Sequence, residues 1–326
     1  MRPAFSVIFL TTLIGVGQGM FIALFSARVF ASLTGLELLD ANWFYGVGSG
    51  CALLFMGAGL FASFFHLTHP GRGIYAWRRW RSSWLSREVI LLPMVMVVMA
   101  LSAMSHFFAW DQFFLKYSGV DLTWVLSGIT VLLCILLFIA TGMIYASVRF
   151  FQEWATPLTV INYLLMGLAS GYTLAAVFAH TGFSSGYSLG EFLLYNALLF
   201  TVLAWASKFW ALSRNRRLQP NSSMQSAIGV HHGTIRQLTR GFTASSFNVR
   251  EFFHGRTPAT LFWIQRLFLT FSFILPVILL LVGSWLNLIP FIYSAFVVQM
   301  LGLLLERWYF FAQARHPQNL YYQNVA

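Results

Sequence analysis

Charge is scarce in this sequence. Asp, Glu, Lys and Arg make up 9% of 326 residues, against 58% hydrophobic ones. An ordinary soluble domain carries about 25% charged residues, so that class is excluded. Cysteine is scarce too: Cys51 and Cys134 each sit inside an apolar run, and no CxxC spacing occurs. The chain therefore holds no iron–sulfur cluster or structural zinc by itself, and a disulfide is not expected. Acidic side chains are few, 9 against 20 Lys and Arg. A net charge of +11 would suggest nucleic acid in a soluble protein. In so apolar a chain it marks one side of a membrane instead, and no nucleic-acid partner is expected. A twin-arginine signal is missing. Gly46, Gly48 and Ser49 look superficially like a nucleotide-binding turn, but they lie inside an apolar run with no strand before them.

What the chain has is apolar runs near the roughly 20 residues that a spanning helix needs. They fall at about 5–32, 43–66, 88–110, 123–147, 157–181, 188–212, 259–284 and 288–312. The first follows Arg2, is too long for a signal-peptide core and carries Gly15, Gly17, Gln18 and Gly19, so it reads as a span. The expected fold is all-α: a bundle of eight transmembrane helices in one integral membrane domain over residues 1–326. Gly15 with Gly19, Gly46 with Gly50, and Gly167 with Gly171 are expected to let helices approach closely.

The connections alternate in charge. Those after the odd runs are short and carry Glu37, Asp40, Asp111, Lys116, Asp121 and little else. Apart from Arg28, Lys116 and Arg266, the Lys and Arg residues fall at the ends or in the connections after the even runs. This bias predicts both termini and the basic connections in the cytoplasm, with the chain in the inner membrane. The longest connection, 213–258, holds seven arginines from Arg214 to Arg256 together with His231 and His232. It reads as a docking surface for a soluble partner or as a topology signal.

Ionisable groups within spans are costly and usually serve something. Arg28, His106, His180, Arg266 and Glu306 are the candidates. An Arg266–Glu306 ion pair is expected at the basic side. His106 and His180 lie near the other face on different runs; a haem b between them is the alternative reading, and haem is not expected.

The densest chemistry lies from His66 to Glu88. Arg72, Arg78, Arg79, Arg81 and Arg87 alternate there with Tyr75, Trp77, Trp80 and Trp84. Such a polar, aromatic and cationic ledge could hold an amphipathic ring such as a quinone head, or could be an interfacial belt and topology signal alone.

The residues also carry a family likeness. His66-Leu67, Pro70, Arg72 and the block Ser83-Trp84-Leu85-Ser86-Arg87-Glu88 resemble the signature of the dimethyl sulfoxide reductase membrane anchor (DmsC) family. Glu306-Arg307-Trp308, Phe310-Phe311-Ala312, Ala314, His316 and Leu320-Tyr321-Tyr322 form a second match. The resemblance implies a three-subunit oxidoreductase. A molybdopterin catalytic subunit and a subunit with four [4Fe-4S] clusters would sit on this lipid-embedded anchor, which exchanges electrons with ubiquinone or menaquinone. The molybdenum site would thus lie on another chain. His66 matches the family histidine associated with the quinone, and Arg72 the arginine that follows it. Thr68 and Gly73 depart from the common Gly and Ala.

On this reading His66 hydrogen-bonds a quinone carbonyl and can pass a proton. Arg72 or Arg87 stabilises the negative charge that develops there. Trp77, Trp80 or Trp84 flanks the ring, Ser86 belongs to the matched block, and Glu88 delivers protons. A basic, cytoplasmic ledge resembles the sulfite dehydrogenase branch (SoeC-like) of the family. The alternatives are a menaquinol-oxidising anchor of the dimethyl sulfoxide reductase type, a tether with no quinone site, and a transporter. No matched pair of broken helices supports the last.

Overall fold

The computed structural model describes the chain except residues 37–39, 67–69, 111–118, 120, 184–186, 221, 232, 237, 239–246 and 322–326. Eight long helices cross the hydrocarbon thickness: α1 (Phe5–Thr34), α2 (Ala41–Ser63), α3 (Trp84–Phe107), α4 (Leu122–Ala146), α5 (Pro157–Phe178), α6 (Tyr187–Arg216), α7 (Pro258–Leu286) and α8 (Ile289–Ala312). Each is long and apolar enough to span, and among the described residues there is no strand. A backbone in lipid must satisfy its own hydrogen bonds, and helices do so.

The starts of the helices are written locally. Ser83 Oγ accepts from the Ser86 amide at α3, Asp121 from the Thr123 and Trp124 amides at α4, and Thr156 from the Leu158 amide at α5. Pro157 and Pro258 stand in the first turn of α5 and α7, where no amide donor is needed. Gly35, at a φ of 66°, ends α1 in the left-handed conformation.

Two helices form the centre. In their most apolar stretches α1 is 67% buried and α5 78%, against 33–44% for the other six. Their crossing depends on glycine. A Cβ on Gly19 would run into the carbonyl oxygen of Gly167, and one on Gly171 into the backbone of Gly19. The small-residue pairs of α1 and α5 thus meet each other, as the spacing predicts. The pair on α2 does not behave that way. Gly46 meets only the Phe107 ring, and nothing lies within 4 Å of a Cβ on Gly50. The close contact of α1 with α2 runs instead through Gly17 against Met56, Gly48 against Leu24 and Gly59 against Ile14. Four-residue spacing gives one face of a helix but not what that face meets.

Between α2 and α3 the chain makes short turns at Phe64–His66, Pro70–Gly73 and Ile74–Arg79. Residues 217–257 carry only the brief helices Met224–Ile228 and Phe247–Glu251 among the described residues. Their far end is fastened to the C-terminal segment: the Phe252 ring stacks on His316 at 3.7 Å, and Asn319 Nδ2 donates to the Phe252 carbonyl.

Candidate functional site

The expected site residues divide into an exposed ledge and an inward carboxylate. On the ledge, Arg87 is the clamp. Its Nε donates to the Trp80 carbonyl at 2.9 Å, an Nη donates to the Arg81 carbonyl at 3.0 Å, and its guanidinium lies 4.0 Å from the centre of the Trp84 ring. Arg81 lies over Trp80 and Arg78 over Tyr75. Trp77 and Trp80 keep 51% and 50% of their surface exposed, so each retains a ring face for lipid or ligand. Arg72 is exposed and is not brought against the clamp. Ser86 is buried in the first turn of α3, where its amide serves the helix cap. The side chain of His66 lies outside the described residues. Among the described residues the ion pairs are Arg28–Asp121, Lys208–Glu306 and Arg307–Glu306, so no carboxylate neutralises the ledge.

Glu88, one residue beyond the clamp, turns into the bundle. Thr141 of α4 donates to its Oε1 at 2.5 Å. Glu88 lines a narrow cavity with Thr11, Thr12 and Gln18 of α1, Tyr163 of α5 and Arg307 of α8. The space between the atoms admits water but no ring.

A second polar centre lies alongside, and the sequence reading missed it. Lys208 of α6 donates to Glu306 Oε1 of α8, and Arg307 Nη1 stands 3.5 Å from Glu306 Oε2. All three side chains are buried, Glu306 completely. Two expectations are corrected here. Glu306 pairs with Lys208 and Arg307 rather than with Arg266, which is exposed and sits beside Phe262. Lys208 belongs to the interior of α6, not to the basic connection. The available signal was that Lys208 lies in an apolar stretch rather than beyond its end. Arg307 also covers the Tyr163 ring at 3.7 Å, and Tyr145 stacks on Tyr163.

At the opposite face Arg28 pairs with Asp121 at 3.2 Å and covers Trp124. His106 is buried beside Tyr45, while His180 Nδ1 lies 2.7 Å from the Ala176 carbonyl of its own turn.

Residues 1–322 match the family described as DMSO reductase anchor subunit (DmsC). The chain belongs to the DmsC family. Within it, a sulfite dehydrogenase subunit of Allochromatium vinosum is 47% identical over 333 residues, covering 100% of both chains. The likeness to this DmsC-family relative therefore extends beyond the ledge to every span, including the α6–α8 centre. The eight apolar helices and the family together make the chain a multi-pass membrane anchor of an oxidoreductase.

Proposed function

We propose that this DmsC-family chain is the quinone-reactive anchor of a sulfite:quinone oxidoreductase. Its partners are a molybdopterin catalytic subunit and an iron–sulfur subunit with [4Fe-4S] clusters. The basic side, with both termini, faces the cytoplasm, and the membrane is the inner one. The observation that carries the reading is Glu88: a carboxylate in the first turns of a span, turned inward beside a tryptophan–arginine ledge. A carboxylate there is costly unless used.

The quinone is the substrate that accepts electrons arriving from the partner. Trp77 and Trp80 offer ring faces at headgroup depth. Arg72 and Arg87 favour negative charge on a carbonyl oxygen. Arg87 is held by two backbone carbonyls, so its guanidinium is fixed in advance. His66 holds the second position the family signature suggests, and Glu88 exchanges protons. The cavity beside Glu88 is too narrow for a ring, so the ring remains at the ledge and only protons pass inward. The full-length relative named for sulfite dehydrogenase favours sulfite over dimethyl sulfoxide as the partner's substrate.

The test uses the whole complex. Glu88→Gln and His66→Ala should each abolish sulfite-to-quinone turnover while sulfite oxidation with a soluble dye continues. Unchanged quinone turnover in both variants would overturn the assignment. Co-purified partners without molybdenum would overturn the wider complex.

A further inference from the structure

Glu88 must exchange protons with water, yet it is hidden from the aqueous surface by the ledge and by α1 and α4. The structure offers a way in from the side. The Glu88 cavity shares Tyr163 and Arg307 as walls with a second cavity, lined by Glu153, Asn162, Lys208, Asn215, Glu306 and Gln313. Glu153 and Asn215 belong to the basic connections, and Glu153 is half-buried. The two cavities thus run end to end from the basic surface to Glu88.

Their walls require water. Among the described residues, Thr12 Oγ1 and Gln18 Nε2 in the first cavity have no hydrogen-bond partner, nor do Asn162 Oδ1 and Glu306 Oε2 in the second. The four residues are at least nine-tenths buried. Leaving a buried polar atom unsatisfied costs about 1–3 kcal/mol each, and water in a polar cavity removes that cost.

The charges at the narrowest point are unbalanced. Lys208 and Arg307 share one carboxylate, Glu306. A purely structural ion pair needs no third charge, and a buried pair is often no more stabilising than apolar packing. A carboxylate flanked by two cations and facing water can, however, relay protons between two water files.

We propose that these cavities form a water-filled proton route from the basic surface to Glu88, with the Lys208–Glu306–Arg307 cluster as its relay. This rests on the quinone reading above. For each quinone reduced to quinol, two electrons come from the iron–sulfur partner. Two protons enter past Glu153, pass Glu306 and Tyr163, and leave Glu88 for the two quinone oxygens. Quinol oxidation reverses every step.

The test measures sulfite-to-quinone turnover of the whole complex, with dye-linked sulfite oxidation as control. Glu306→Gln should lower quinone-linked kcat by about tenfold, less than the roughly hundredfold or more lost with a group that acts directly on the reacting atoms. KM for quinone and the dye-linked rate should stay unchanged. The solvent deuterium isotope effect on kcat should rise, because proton delivery becomes limiting. A small weak acid such as imidazole should restore part of the rate. Should Glu306→Gln fail to assemble, Thr12→Val, which removes one water partner at constant volume, should show the same split. An assembled variant with wild-type kcat and isotope effect overturns the route. That failure is separable from failure of the quinone reading: in the first case Glu88→Gln still abolishes quinone turnover, in the second it does not.

Discussion

The Lys208–Glu306–Arg307 cluster makes an unequal prediction for two substitutions in the same ion pair. At 3.5 Å and an effective dielectric of about 20, the Arg307–Glu306 attraction is about 5 kcal/mol before desolvation. Lys208, in direct contact, contributes at least as much. Each buried ion costs several kcal/mol to desolvate, so attraction and cost nearly cancel while the cluster is whole. Lys208→Met removes one cation and leaves the neutral Glu306–Arg307 pair. The new side chain packs against Phe268 and Phe310, the rings that Lys208 Nζ now faces at 5.6 and 5.8 Å. A cost of about 1–2 kcal/mol is expected, of the size of a lost cation–π contact. Glu306→Gln leaves two buried cations without a carboxylate, and here the loss should reach about 3–5 kcal/mol. The difference, about 2 kcal/mol, is more than a tenfold change in an unfolding equilibrium. Cys134, fully buried in α4, supplies the assay. With Cys51 replaced by serine, the rate at which a maleimide dye traps Cys134 during SDS titration reports opening of the bundle. The order wild type, Lys208→Met, Glu306→Gln should hold. If Glu306→Gln is as stable as Lys208→Met or more so, the cluster is not short of negative charge and the electrostatic account fails.

Two further outcomes follow from the packing. Gly171→Leu places a side chain inside the backbone of Gly19 and should abolish folded chain in the membrane, whereas Gly50→Ala, with nothing within 4 Å of its Cβ, should accumulate normally; comparing the two levels in detergent extracts decides. Burial holds the His316 ring on Phe252 below its ordinary pKa of 6.5. The fold therefore keeps the ring neutral, and that contact is at full strength above pH 6.5. Below it the released ring binds a proton that the packed ring refuses, so the contact weakens as pH falls. Protease nicking within 247–257 should increase between about pH 7.5 and about pH 5.5, and His316→Phe should flatten the increase.

The spans were legible because length and hydrophobicity alone decide them: seven of the eight apolar runs start within a few residues of a helix start, and all eight helices lie on such a run. Partners across the bundle were less legible. Glu306 and Lys208 stand 98 positions apart, and which cation faces the carboxylate depends on how α6, α7 and α8 are rotated about their axes. Arg266 and Lys208 are equally reasonable by depth; only Lys208 lies on an inward face. Glycine spacing fails for the same reason on α2, where Gly50 looks outward. Glu88 was legible through its motif, since Ser83 to Glu88 combines a helix cap with a charge set just inside it. The inward turn of Glu88 onto Thr141 was not, because Thr141 is placed by the α3–α4 contact.

The polar groups also divide by depth. The Glu88 cavity ends at the α1–α5 crossing, where Gly15, Gly167 and Ser170 are among its walls. Beyond that crossing α1 continues with Met20, Phe21 and Leu24, packed with Phe44 and Phe178 and almost wholly buried. The Arg28–Asp121 pair and His106 lie past this apolar layer, and nothing polar on α1 bridges the gap between Gln18 and Ser26. On the proposed reading, protons and electrons therefore reach the quinone from the same side. Turnover would then move no net charge across the bilayer. In sealed proteoliposomes holding the complex with its basic face outward, sulfite-driven quinone reduction should take up protons from the outer medium. It should leave a potential-sensitive dye unchanged, with or without a proton ionophore. A membrane potential that forms on turnover and collapses with the ionophore would mean that protons cross the apolar layer, and the glycine crossing would have to open during the reaction.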